Sequence, residues 1–153
     1  MRIPYYSVVG IEFAVRASGL PHAKSWEDCT PAPSRCNKLA AAPRGSGHDC
    51  FLGGIVVLLV IEASWTWWRQ WDRYEFVWDV SGTSIMHGNP EAEEEALDKL
   101  PLGTLHTRAI VTNYRALKTM YAQRKNHRLK SWRIFCEWIK GLEMSPWITG
   151  EEP

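Results

Sequence analysis

The chain carries residue types that can do chemistry, but their spacing assembles no recognisable site. His22, Cys29, Cys36, His48 and Cys50 are zinc-ligand types, yet Cys29 and Cys36 are separated by six residues and the close ligand pair of the common zinc motifs is missing. Gly53 and Gly54 alone do not make the glycine-rich loop that cradles a phosphate between a strand and a helix. Asp72, Glu75, Asp79 and the five histidines can share acid–base work only if the fold brings them together. On these grounds the sequence predicts no catalytic residue, no metal and no cofactor, and a chain that is not a self-sufficient enzyme.

The constellation that stands out is basic. Residues 99–136 contain no Asp or Glu, while Lys99, Arg108, Arg115, Lys118, Arg124, Lys125, Arg128, Lys130 and Arg133 all fall within them. A cationic stretch of this kind suits phosphates of a nucleic acid, an anionic membrane surface or an acidic partner, unless its charge is answered inside the molecule by the acidic run at residues 91–95. The formal net charge of +1 is uninformative beside this segregation.

The elements that must position these charges read as follows. Ile110, Tyr114, Leu117 and Tyr121, then Leu129, Trp132, Phe135 and Ile139, form an apolar stripe at helical spacing, broken at Lys125, Asn126 and His127. This predicts two amphipathic helices joined by a turn, the second ending at Lys140 with Gly141 in a left-handed cap. Asn89 and Pro90 have the chemistry of a helix start, followed by glutamates that suit the positive end of its dipole.

Residues 51–61 (FLGGIVVLLVI) are almost continuously apolar, and beyond Glu62 the apolar character runs on to Trp68. That length fits either a buried element or a membrane span over residues 51–68, with the clustered tryptophans as an interfacial belt and Glu62 as the argument against it. Five of the nine tryptophans lie between Trp65 and Trp78. Residues 74–80 alternate like a strand with one apolar face, and residues 7–16 like a short half-buried strand. Pro21, Pro31, Pro33 and Pro43 punctuate the remainder of an otherwise irregular N-terminal third.

The segments TRAIVTNYRALKTMY (residues 107–121) and RLKSWRIFCEWIKGLEMSPWITGEEP (residues 128–153) resemble the helical, SAM-like N-terminal arm of phage-integrase-type tyrosine recombinases. Trp132, Phe135 and Trp138 are placed like the arm's aromatic core. The resemblance implies DNA contact without strand cleavage, since the family's chemistry resides in a further domain. Residues chosen by charge to face phosphates are Arg115, Lys118, Arg124, Lys125, Arg128 and Lys130.

The sequence thus predicts a mainly α protein, with α+β as the alternative. It divides into an irregular region (1–50), an apolar Trp-rich segment (51–88) and a basic helical domain (89–153). The function expected is non-catalytic DNA binding, with a single-pass membrane protein or accessory subunit of a membrane complex as the second reading.

Overall fold

The computed structural model describes residues 1–88, 91 and 94–151. Its centre is a four-stranded, wholly antiparallel sheet of order β1-β2-β4-β3, formed by β1 (Arg2–Val9), β2 (Val56–Ser64), β3 (Trp78–Gly82) and β4 (Leu105–Asn113). The helices are α1 (Ile11–Ala17), α2 (Pro33–Ala41), α3 (Trp65–Trp71), α4 (Ile85–Gly88), α5 (Glu94–Asp98), α6 (Tyr114–Arg124), α7 (Lys130–Lys140) and α8 (Pro146–Thr149). The architecture is α+β, which corrects the expectation of a mainly α chain.

The apolar run that suggested a membrane span is broken into the 3-10 turn Cys50–Gly54, the inner strand β2 and the first half of α3. Val57, Leu59, Ile61 and Ala63 point into the core, while Val56, Leu58 and Val60 on the other face are only partly covered. A strand bonded on both sides and apolar on both faces reads as one continuous hydrophobic run. Glu62, the residue least compatible with lipid, instead accepts from Arg2 across the β1–β2 pair at 3.0 Å. Among the described residues no helix is long and apolar enough to cross a membrane, so the membrane alternative is corrected as well.

The basic stretch is strand, helix, helix. Ile110 belongs to β4 and only shares the stripe's spacing by coincidence. The switch to helix comes at Asn113, whose side chain accepts from the Ala116 amide at 2.9 Å and so caps α6. The turn at residues 125–129 separates α6 from α7 as the broken stripe suggests. Helix α7 ends at Lys140, but Gly141 follows with φ −82°, a right-handed rather than left-handed cap.

The strand expected at residues 7–16 lies upstream, at β1. Its end is forced at Gly10, φ +91°, where a Cβ would come within 2.4 Å of the Gly54 carbonyl oxygen. The chain there turns directly into α1. The proposed helix start at Asn89 and Pro90 lies outside the described residues.

The core joins the inner face of β2 and β4 to α3, α6, α7 and α8. At its centre Trp67, Trp71, Trp132 and Phe135 pack ring against ring, with centroids 4.7 to 6.4 Å apart. The tryptophan cluster is therefore core. Two of its ring nitrogens are hydrogen-bonded: Trp68 Nε1 donates to the His106 carbonyl and Trp132 Nε1 to Gln70 Oε1.

Candidate functional site

A convergence of polar groups lies where α3 meets the β3–β4 edge. Strand β4 turns Arg108 inward, and its side chain is only 10% exposed. A buried guanidinium must be answered, and Arg108 Nη1 donates to Asp72 Oδ1 at 2.7 Å and to Asp79 Oδ2 at 3.0 Å. The same guanidinium lies over the rings of Trp68 (4.5 Å) and Trp65 (5.5 Å). Helix α3 supplies both tryptophans and is pinned to the segment before β4, because the amides of Trp65 and Thr66 donate to the Thr104 and Leu102 carbonyls.

His106, two residues before Arg108, stacks on Trp65 with ring centroids 4.4 Å apart and an interplanar angle of 20°. Its Nδ1 shares a 3.0 Å hydrogen bond with Thr83 Oγ1, which also accepts from the Thr107 amide. Gly82 closes the floor: a Cβ there would sit 3.2 Å from His106 Nε2 and 3.4 Å from Arg108 Cγ. Above this floor is an open cleft of about 400 Å³, lined by Asp79, Ser81, Thr83, Ser84, His106 and Arg108.

Burial, and then the Arg108 charge, hold His106 below the ordinary histidine range against the opposite pull of Asp79 and Asp72. The imidazole is thus uncharged at neutral pH, able to accept or donate a proton at the cleft wall. The unfolded chain takes up a proton, near pH 6.5, that the folded site resists. The contribution of His106 is therefore fully present above that pH and is lost as pH falls below it. His127, lowered by burial and by Arg124, Arg128 and Arg133, adds the same sign. We expect the urea midpoint to fall between pH 7.5 and 5, and to fall less in His106→Gln. Identical pH profiles for the two proteins would exclude His106 as a source.

Of the acid–base residues singled out in the sequence, Asp72 and Asp79 are brought together on Arg108 beside His106, and Glu75 is not part of that group. The six basic residues picked for phosphate are divided. Arg115 and Lys118 meet on the buried Asp49. Arg124 is held by Tyr74 and Gln70 and lies over Trp132, while Lys125 approaches Glu151 at 3.9 Å. Arg128 and Lys130 are exposed around the start of α7. The cysteines are all free thiols, and among the described residues no group of three or more His, Cys, Asp or Glu is placed to hold a metal.

Sequence reasoning missed Arg108 as a site residue and offered His106 only as one of five histidines that the fold would have to bring to the aspartates. The available signal was an inward-facing Arg within the alternating run Thr107 to Thr112, a pattern that a helical reading of the same segment conceals.

No protein-family model and no curated protein sequence matches the chain. Solved structures do. Two crystal structures of the thymidylate synthase ThyX from Helicobacter pylori with FAD and dUMP, one described as flavin dependent, each match with a TM-score of 0.70. Each is 13% identical, covering 99% of this chain and 98% of that chain. This end-to-end likeness overturns the recombinase-arm resemblance, which covered only the last third and rested on a helical pair now seen to be continuous with the sheet. With it go the DNA partner, the non-catalytic DNA-binding function and the expectation of a non-enzyme: the matched structures are of an enzyme, and they hold small nucleotides. The fold of this chain is the one seen in the ThyX thymidylate synthases.

Proposed function

We propose that the protein is a nucleotide-handling enzyme of the thymidylate synthase architecture, with a uracil-type deoxynucleotide as ligand of the Arg108 cleft. The observation that carries this reading is the match over the full length of both chains to structures complexed with dUMP and FAD. The chemistry of the cleft supports it. A uracil ring offers one N–H donor and two carbonyl acceptors. Asp79 can accept, the remaining Arg108 N–H groups can donate, and the uncharged His106 stands beside them as a proton carrier.

The flavin implied by the fold fits this cleft poorly. A dinucleotide with two ring systems and a pyrophosphate exceeds about 400 Å³. No step is therefore assigned to a flavin here.

Calorimetric titration tests the reading with dUMP, with dCMP as the comparison. We expect dUMP to bind more tightly than dCMP, because the donor at N3 is present only in uracil. Asp79→Asn should weaken dUMP about tenfold or more, the scale of a hydrogen bond to a charged group. Absence of dUMP binding at millimolar concentration, with and without added FAD, would refute the proposal.

A further inference from the structure

We propose a second ligand site, separate from the Arg108 cleft: the cavity between α1, α2 and the 3-10 turn Cys50–Gly54, built for a small aromatic monoanion. The cavity measures about 630 Å³. Its walls are apolar, from Phe13, Ala17, Pro21, Leu39 and Phe51, and one side carries the Arg35 guanidinium. A concave apolar surface with a few fixed polar groups is the usual form of a small-molecule site.

Arg35 is the observation that selects the ligand. Its Nε donates to Ser18 Oγ at 3.0 Å, and Nη2 to the Thr30 and Val15 carbonyls at 3.2 and 3.4 Å. All three acceptors are neutral, and among the described residues no carboxylate pairs with it. Arg108 is answered by two aspartates and Lys118 by Asp49, whereas Arg35, like Arg16 and Arg124, is held by neutral groups alone; of these three, Arg35 is the one at the wall of this cavity. Arg35 is a rigidly held cation with its charge uncompensated. The guanidinium also lies against the backbone at Gly19, where a Cβ would come within 2.9 Å of Nη2, so its position depends on the absence of a side chain there.

The second observation is Phe13. It leaves 59% of its surface in water at the cavity wall, with one side against Trp26 at 5.7 Å. A flat apolar ring carrying one carboxylate answers both features, burying the Phe13 face and pairing with the free Nη1 of Arg35. His22 and His48 at the same wall add donors for such an anion.

The test compares 2-naphthoate with its neutral isostere 2-naphthamide by calorimetry on the full chain. We expect the acid to bind at least tenfold more tightly. Arg35→Gln should bring the two ligands to equal affinity, and Ala17→Phe, which fills the cavity, should abolish both. Because Arg35 also ties α1 to α2, the Ala17→Phe variant is decisive if Arg35→Gln fails to fold. Equal binding of acid and amide to the unmodified protein, or naphthoate binding that survives Ala17→Phe, would overturn the proposal. Neither result depends on whether dUMP binds the Arg108 cleft.

Discussion

Replacing Asp49 with alanine is expected to lower the unfolding free energy by about 3–5 kcal/mol, the cost of removing one partner from a buried ion pair. The Asp49 side chain is fully buried, and each oxygen has its own cation: Oδ1 accepts from Arg115 Nε at 3.1 Å and Oδ2 from Lys118 Nζ at 3.2 Å. Lys118 is committed further. Its ammonium donates to the Ala40 and Ala42 carbonyls at 2.8 and 2.9 Å, covering the C-terminal end of α2, where a cation also suits the helix dipole. Without Asp49, two partly desolvated cations face each other from one turn of α6. The side-chain link from α6 to the start of the Cys50–Gly54 turn goes with it, while Lys118 keeps the Ala40 and Ala42 carbonyls.

Urea unfolding followed by circular dichroism measures the loss. A shift below about 1 kcal/mol would show that the triad is no more than a surface interaction. A paired replacement, Asp49→Leu with Lys118→Met, is expected to recover part of the stability, because a buried ion network is often matched by apolar residues of similar volume.

That triad also shows where sequence reasoning stops. Arg115 and Lys118 share a helical face, which the spacing makes plain, but their counter-charge stands 66 and 69 residues earlier in a loop-like stretch. Local charge balance suggested a free basic surface, whereas the actual balance is tertiary. The break in the apolar stripe at residues 125–127 was legible for the opposite reason, since helix periodicity is local.

Strand β4 was hidden by its own content. Arg108 faces inward, where a charge is not expected, and Ile110 falls in step with the following helix. Strand β2 was visible as a buried apolar element but not as strand rather than helix, because only pairing on both sides explains why both faces are apolar. The cleft is a product of register. Antiparallel pairing sets Gly82 opposite Arg108 and Asp79 opposite Ile110, which brings residues 72, 79, 83, 106 and 108 to one edge although no short motif contains them.

The second large effect concerns the aromatic centre. Trp67 is fully buried, with ring centroids 4.9 Å from Trp68, 5.1 Å from Trp71, 4.7 Å from Trp132 and 5.7 Å from Phe135. Trp67→Ala is expected to cost about 3–5 kcal/mol, the range for emptying an indole-sized volume in a closed core. Trp67→Phe should be far milder than its position suggests. The Nε1 of Trp67 is buried without an acceptor among the described residues, so the substitution removes an unpaired donor along with some packing. Trp68 and Trp132 are equally buried, but their ring nitrogens donate to the His106 carbonyl and to Gln70 Oε1. Phe at either position loses packing and a hydrogen bond: the His106 carbonyl loses the Trp68 donor, and Gln70 Oε1 loses one of its two donors, keeping Arg124. The expected order of stability is therefore Trp67→Phe above Trp68→Phe and Trp132→Phe by about 1 kcal/mol, read as the difference in urea midpoints at equal slope. Equal costs at all three positions would mean that the Trp67 donor is satisfied in solution, and the polar difference between these otherwise similar indoles would then play no part in the stability of the core.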